Sequence, residues 1–158
     1  MPSDYLLKID AIKGESSQDK YADWIEVDSW SWGESQVGTM STGAGGGAGK
    51  VHMQDFTFSA PMSSATADLV AKCASGEHLK KVELHCRKAG GTQEVFLKLT
   101  LETALVSSYQ TGGSSAVPQE SFSLNFQKIK LEYFKQDDKG KMAAAGIMTY
   151  DLKLGKKV

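Results

Sequence analysis

The chain has 158 residues, enough for one domain and too few for two of ordinary size. Its 18 basic and 19 acidic residues leave a formal charge of −1, so no global field draws it onto DNA or an anionic membrane. Hydrophobic residues are 41% and charged residues 23% of the chain, the balance of a soluble globular protein that can build a core without staples.

Arg87 is the only arginine. The arginine fork is what reads phosphate or guanine bidentately, which argues against a nucleic-acid role. Residues 1–10 lack a basic region, a long apolar region and a small-residue cleavage site, so no export signal is expected. No stretch approaches the ~20 apolar residues of a membrane helix. The expectation is a cytoplasmic protein, exported only by a machine that handles folded chains. Cys73 and Cys86 form no framework and read as buried, reduced thiols.

Period-two alternation dominates the chain and predicts a mostly β domain. Tyr5 to Ile12 is a first strand, ended by Lys13-Gly14-Glu15-Ser16. Asp23 to Trp32 is a second, with Trp24, Glu26, Asp28, Trp30 and Trp32 on one face and Ile25, Val27, Ser29 and Ser31 on the other. Both faces mix polar and apolar residues, which suggests a subunit contact as well as a core. Ser35 to Gly49 is a long polar loop, with Gly43, Gly45, Gly46, Gly47 and Gly49 crowded at its end. Val51 to Ser59 resumes the alternation until Pro61 stops it. Ser63 or Ser64 is placed to cap a helix that Gly76 ends, with Ala65, Leu69, Val70 and Cys73 as its apolar stripe.

Two alternating runs, Val82 to Arg87 and Val95 to Glu102, flank Ala89-Gly90-Gly91-Thr92 and predict a hairpin. A second Gly/Ser loop runs Thr111 to Ala116. Phe122, Leu124 and Phe126 open the next strand. The apolar phase then slips to Ile129, Leu131 and Tyr133, which predicts a bulge or a change of sheet. Asp137-Asp138-Lys139-Gly140 turns the chain into a last strand, roughly Ala145 to Leu154. The fold class expected is a β-barrel or sandwich of two sheets with one flanking helix.

No residue set supports catalysis, a metal or a cofactor. The glycine loop ends at Gly49-Lys50, but Ala44 stands where a phosphate loop needs its first glycine and Val51 where it needs Ser or Thr. His85 and Cys86 are strand neighbours and point to opposite faces, so they cannot chelate one ion. No Gly-x-Ser-x-Gly is present. Trp24, Trp30 and Trp32 hold all the tryptophan within nine residues, as a core cluster or an interface.

The segment Trp30-Ser31-Trp32-Gly33-x-Ser35-Gln36-x-Gly38 resembles the hemolysin-coregulated protein (Hcp) family, the tube protein of bacterial type VI secretion. Lys13-Gly14-Glu15-Ser16, Gly46-Gly47-Ala48-Gly49-Lys50-Val51 and Arg87-Lys88-Ala89-Gly90-Gly91 carry the same resemblance. So do Val106-Ser107-Ser108 with Gly112-Gly113-Ser114, and Leu124-Asn125-Phe126. These segments stand in family order and reach to about Tyr133.

The resemblance implies a non-enzymatic, tail-tube-like subunit over residues 1–158. It implies a homo-hexameric ring that stacks into a tube, inside a contractile sheath and beneath the spike protein VgrG. Effector proteins ride in the lumen, and the tube is secreted without a signal peptide. About four strands from each of six copies, at ~4.8 Å spacing, would give an inner wall of roughly 115 Å around and about 37 Å across. Ser31 and Ser29 are the expected lumen-facing residues. Gln36, Gly38, Thr39, Met40, Ser41, Gly43, Gly45, Gly46, Gly47, Gly49 and Lys50 form the expected ring-stacking loop. Trp24, Trp30 and Trp32 are expected in the core or the subunit interface. The rival readings are a stand-alone β-barrel binding module and a hydrolase using His85 or His52. A pocket converging on the tryptophans of a monomer would favour the module.

Overall fold

A computed structural model describes residues 3–38, 40, 48–88, 93–114 and 116–158. The strands are β1 (Ser3–Ile9), β2 (Ile25–Val27), β3 (Ser29–Ser31), β4 (Glu34–Gly38), β5 (Ala48–Met53) and β6 (Phe56–Pro61). The helix α1 (Thr66–Ser75) follows, then β7 (Leu79–Lys88), β8 (Val95–Gly112), β9 (Gln119–Gln136), β10 (Met142–Asp151) and β11 (Lys156–Lys157). The mostly β fold with one helix is as expected.

The large sheet runs β11-β10-β9-β8-β7-β1-β2, and all of its pairings are antiparallel. β9 is long enough to serve two neighbours. Its first part pairs with β6 (Phe56 opposite Leu124) and its second with β10 (Met148 opposite Leu131). The bulge or change of sheet expected from the apolar slip between Phe126 and Ile129 is instead a change of neighbour, since β6, β9 and β10 belong to one sheet. β6 in turn carries β3, and the Asp28 N–H donates to Ser59 O at 2.8 Å. Residues 25–31 therefore touch both margins of the curled sheet, β2 on β1 and β3 on β6.

The expected single strand Asp23 to Trp32 is thus two strands. The bend at Asp28 breaks the alternation, so Ile25 and Val27 are buried while Trp30 and Trp32 also pack against the core. Trp24 is separated from the other two tryptophans and meets Tyr21 edge-on and His85 at a tilt. The expected loop after Ser35 is partly a hairpin, β4 against β5, and every residue of β4 is exposed. With β4 exposed throughout and only Val51 and Met53 partly buried among the described residues of β5, β4 has no apolar period to read. Tyr5 to Ile12 also ends sooner, because the chain turns at Asp10 and Ile12 bridges back to Ile9.

The core holds Leu7, Ile9, Leu84, Leu99 and Leu124 with Phe56, Phe58 and Phe122 at 2% exposure or less. α1 packs Leu69 and Ala65 into it. Val70, expected in the stripe, is 44% exposed, since the stripe follows the i, i+4 line of Ala65, Leu69 and Cys73. Neither Ser63 nor Ser64 is the cap. The N-cap is Ala65, because Ser63 is used one turn earlier: its Oγ accepts from Ala65 N–H and its O from Thr66 N–H. Gly76 ends the helix in the left-handed region at φ +68° and donates to Lys72 O. Cys86 is fully buried, and burial pushes its thiol up to about 12. Cys73 is half-buried, and both cysteines are free.

Candidate functional site

Ser29 and Ser31 are exposed on β3, facing away from the core that Trp30 enters. The registers set each of them at the end of a row across four strands. Ser29 lies opposite Ser59, which lies opposite Ser121, which lies opposite Gln110. Ser31 lies opposite Thr57, then Ser123, then Ser108. Directly opposed residues share one face of a sheet, so the two rows form one wall of hydroxyl and amide groups without a lysine or arginine.

The wall is ordered by its own hydrogen bonds. A bulge between Val106 and Ser108 sets two serines against one, and the hydroxyls of Ser107 and Ser108 lie 2.7 and 2.5 Å from that of Ser123. Ser107 Oγ also donates to Asp55 Oδ2 at 2.6 Å, and Asn125 Nδ2 donates to Asp55 Oδ1 at 2.9 Å. The segments Val106-Ser107-Ser108 and Leu124-Asn125-Phe126 meet here: the apolar members enter the core and the polar members hold the wall. Replacing Ser123 by Val would leave the hydroxyls of Ser107 and Ser108 without this partner. The expected cost is about 1 kcal/mol in denaturant unfolding, and an unchanged midpoint would refute it.

Gln36, Gly38, Gly49 and Lys50 lie on the β4–β5 ribbon, and Met40 beyond it is 79% exposed. Gly49 passes so close to β4 that a Cβ would stand 2.6 Å from Val37 O. Thr39, Ser41, Gly43, Gly45, Gly46 and Gly47 lie outside the described residues. Trp32 stacks flat on Phe56 (5.3 Å, 2°), and Trp30 lies 6.2 Å from the same ring. The clefts at Tyr21 and Arg87, at Thr100 and Lys128, at Lys135 and Ala144, and at Lys8 and Lys81 are lined without these tryptophans.

A second polar cluster, missed by sequence reasoning, covers the outer face of β1 and β7. Residues 10–24 form a strap there. Arg87, 6% exposed, pairs with Asp4 at 3.1 Å, bonds Gln18 Oε1 and lies over the Tyr21 ring. The Tyr21 hydroxyl is 2.9 Å from His85 Nδ1. Burial, then the Lys98 charge, lowers His85 to about 4, and burial raises Tyr21. Gly14 is needed at the strap's closest approach, where a Cβ would stand 2.4 Å from Trp24 O. Glu15 accepts from Ser64 N–H, tying the strap to the start of α1. The segments Lys13-Gly14-Glu15-Ser16 and Arg87-Lys88 thus build the fold. The period of alternation carries no trace of this cover; only the aromatic pair Tyr21 and Trp24 in a polar stretch hints at it.

His85 and Cys86 face opposite ways, one under the strap and one in the core. Among the described residues no three His, Cys, Asp or Glu side chains come together to hold a metal.

The family described as "Type VI secretion system effector, Hcp" matches residues 6–133. The Hcp1 protein of Pseudomonas aeruginosa is 43% identical over 143 residues, covering 89% of this chain and 88% of its own. The structure of a type six secretion system protein superposes with a TM-score of 0.91 at 31% identity, over 98% of this chain and 99% of that one. Hcp1 from Salmonella typhimurium matches over the whole of both chains, with a TM-score of 0.81 and 34% identity. The chain therefore belongs to the Hcp family of type VI secretion proteins, secreted components that are not enzymes.

Proposed function

We propose that this chain is the tube subunit of its secretion system: copies close into a hexameric ring, rings stack, and effectors travel inside. The observation that carries the reading is the open margin of β10. Among the described residues it is paired on one side only from Met142 to Met148; β11 covers Tyr150 and Asp151, and Val158 N–H reaches Thr149 O just beyond it. Ala143, Ala144, Ala145 and Ile147 are exposed there, with exposed Tyr133 on the neighbouring strand. No charge or proline lies between Met142 and Tyr150. A long, apolar, uncharged margin invites another strand, and a heterologous contact that repeats about an axis closes a ring. The number six rests on the resemblance to the Hcp family.

Native mass spectrometry should give about six times the 17.1 kDa chain; a stable monomer at micromolar concentration would overturn the reading. Ile147→Lys should weaken assembly by about 2 kcal/mol or more, roughly 30-fold in dissociation constant, while leaving the monomer folded.

The wall around Ser29 and Ser31 is the surface we assign to cargo. Ser31→Gln adds bulk without charge at an exposed position, so rings should persist while effector capture in a pull-down falls. Loss of the ring would instead remove Ser31 from the cargo surface. Residues 36–50 are assigned to ring stacking. Deleting residues 43–47 should leave rings intact and impair tube growth and export, and normal export would make the segment a passive connector. The spike protein VgrG and the contractile sheath complete the partner set of this reading.

A further inference from the structure

The strap of residues 10–24 is held under tension. Ala11, Lys20 and Asp23 sit in the left-handed region at φ +67°, +70° and +66°, where a β-carbon is disfavoured. Its two arms are joined by three backbone bonds, Gly14 N–H to Asp23 O, Ser16 N–H to Trp24 O and Asp23 N–H to Ser16 O, at 2.7, 3.0 and 2.9 Å, and two short turns, Tyr21 N–H to Gln18 O and Trp24 N–H to Tyr21 O, shape its tip. Tyr21 and Trp24 fix it to the sheet by closing on the His85 ring, with centroids 5.5 and 4.8 Å away. Beneath lies Leu6, 1% exposed and outside the main core. A cleft between Tyr21, Arg87, Gln93 and Val95 undercuts the strap and gives Tyr21 room to leave.

We propose that this strap is an acid-released clasp, opened when His85 takes a proton from solvent, and that its opening uncovers Leu6 and Trp24. The imidazolium would be enclosed by two strap rings, beside the cations Arg87 on its own strand and Lys98 on β8. Glu83 on β7 and Glu132 on β9 oppose this. Asp4 on β1 is engaged by Arg87, and Glu26 on β2 by Gln18. Lys8 on β1 lies over Trp24 and adds positive charge. Burial outweighs the two glutamates, so the closed strap holds His85 near 4 against its ordinary 6.5. The closed form is fully favoured above 6.5, loses ground as pH falls below it, and has lost this contribution near 4. The inference is independent of the tube reading.

Hydrogen exchange of the full chain tests it, read at the Gly14, Ser16 and Asp23 amides and corrected for intrinsic rates. Their protection should fall by up to about tenfold per pH unit between pH 6.5 and 4, while the β8–β9 amides keep theirs. His85→Gln retains a hydrogen-bonding amide without the titration, and its strap should show a flat profile. A flat profile in the unaltered protein, or an unchanged slope in H85Q, overturns the proposal. If H85Q does not fold, the His85 ring and the strap amides are titrated together by NMR in the unaltered protein. A shared midpoint supports the clasp, and midpoints more than one pH unit apart overturn it.

Discussion

Phe56→Ala is expected to destabilise the subunit by about 3–5 kcal/mol, the largest effect of any single truncation in the core. Phe56 is 1% exposed. Trp32, Trp30, Phe58 and Phe126 all lie around its ring, with centroids between 5.3 and 6.2 Å. Trp30, Trp32 and Phe126 come from β3, the turn after it and β9, so none of these three can move into the void without dragging a segment other than β6, and Phe58 is held two residues along β6 itself. The loss combines transfer energy with an unfilled cavity. Urea unfolding at fixed protomer concentration measures it, since assembly adds concentration-dependent stability. A loss under 1 kcal/mol would mean that the aromatic stack can collapse and does not pin β3 to β6.

This stack also shows what was readable and what was not. The alternation from Val82 to Glu102 placed β7 and β8, because those strands turn their apolar residues to the core and mostly polar residues to the other face. Pro61 and Gly76 marked the end of β6 and of α1 for local steric reasons. The apolar slip in β9 was visible because the strand changes neighbour there. Asp28 carried no such mark. Polar and apolar residues alternate through it, yet one bend turns Trp30 and Trp32 to the side that Ile25 and Val27 face. The hydroxyl wall was hidden for another reason. Ser29 and Ser31 are ordinary surface serines until the register brings Thr57, Ser121 and Ser108, from three distant segments, onto their face. Non-local pairing creates that chemistry, and no local window contains it.

Arg87→Ala is the second large effect, about 3 kcal/mol, and it comes from charge rather than volume. The guanidinium on β7 engages three groups on two further elements: Asp4 on β1, and Gln18 and the Tyr21 ring in the strap. The Arg87 and Asp4 side chains are only 7% and 15% exposed. Truncation strands the Asp4 carboxylate where water reaches it poorly, and breaking such a pair costs more than the pair contributes. Arg87 Nε is buried without a partner among the described residues even in the intact protein, so the pair is not an optimal one. Two further outcomes follow. Arg87→Lys should recover only part of the loss, because one ammonium cannot bond Asp4 and Gln18 in the fork's plane while lying over Tyr21. Asp4→Leu combined with Arg87→Met should be more stable than Arg87→Ala alone, because no unpaired charge remains. Added salt should barely change the Arg87→Ala loss, since a buried pair is poorly screened. Full recovery by lysine, or a double variant no better than the single one, would show that Arg87 acts by packing on Tyr21 and not by holding Asp4.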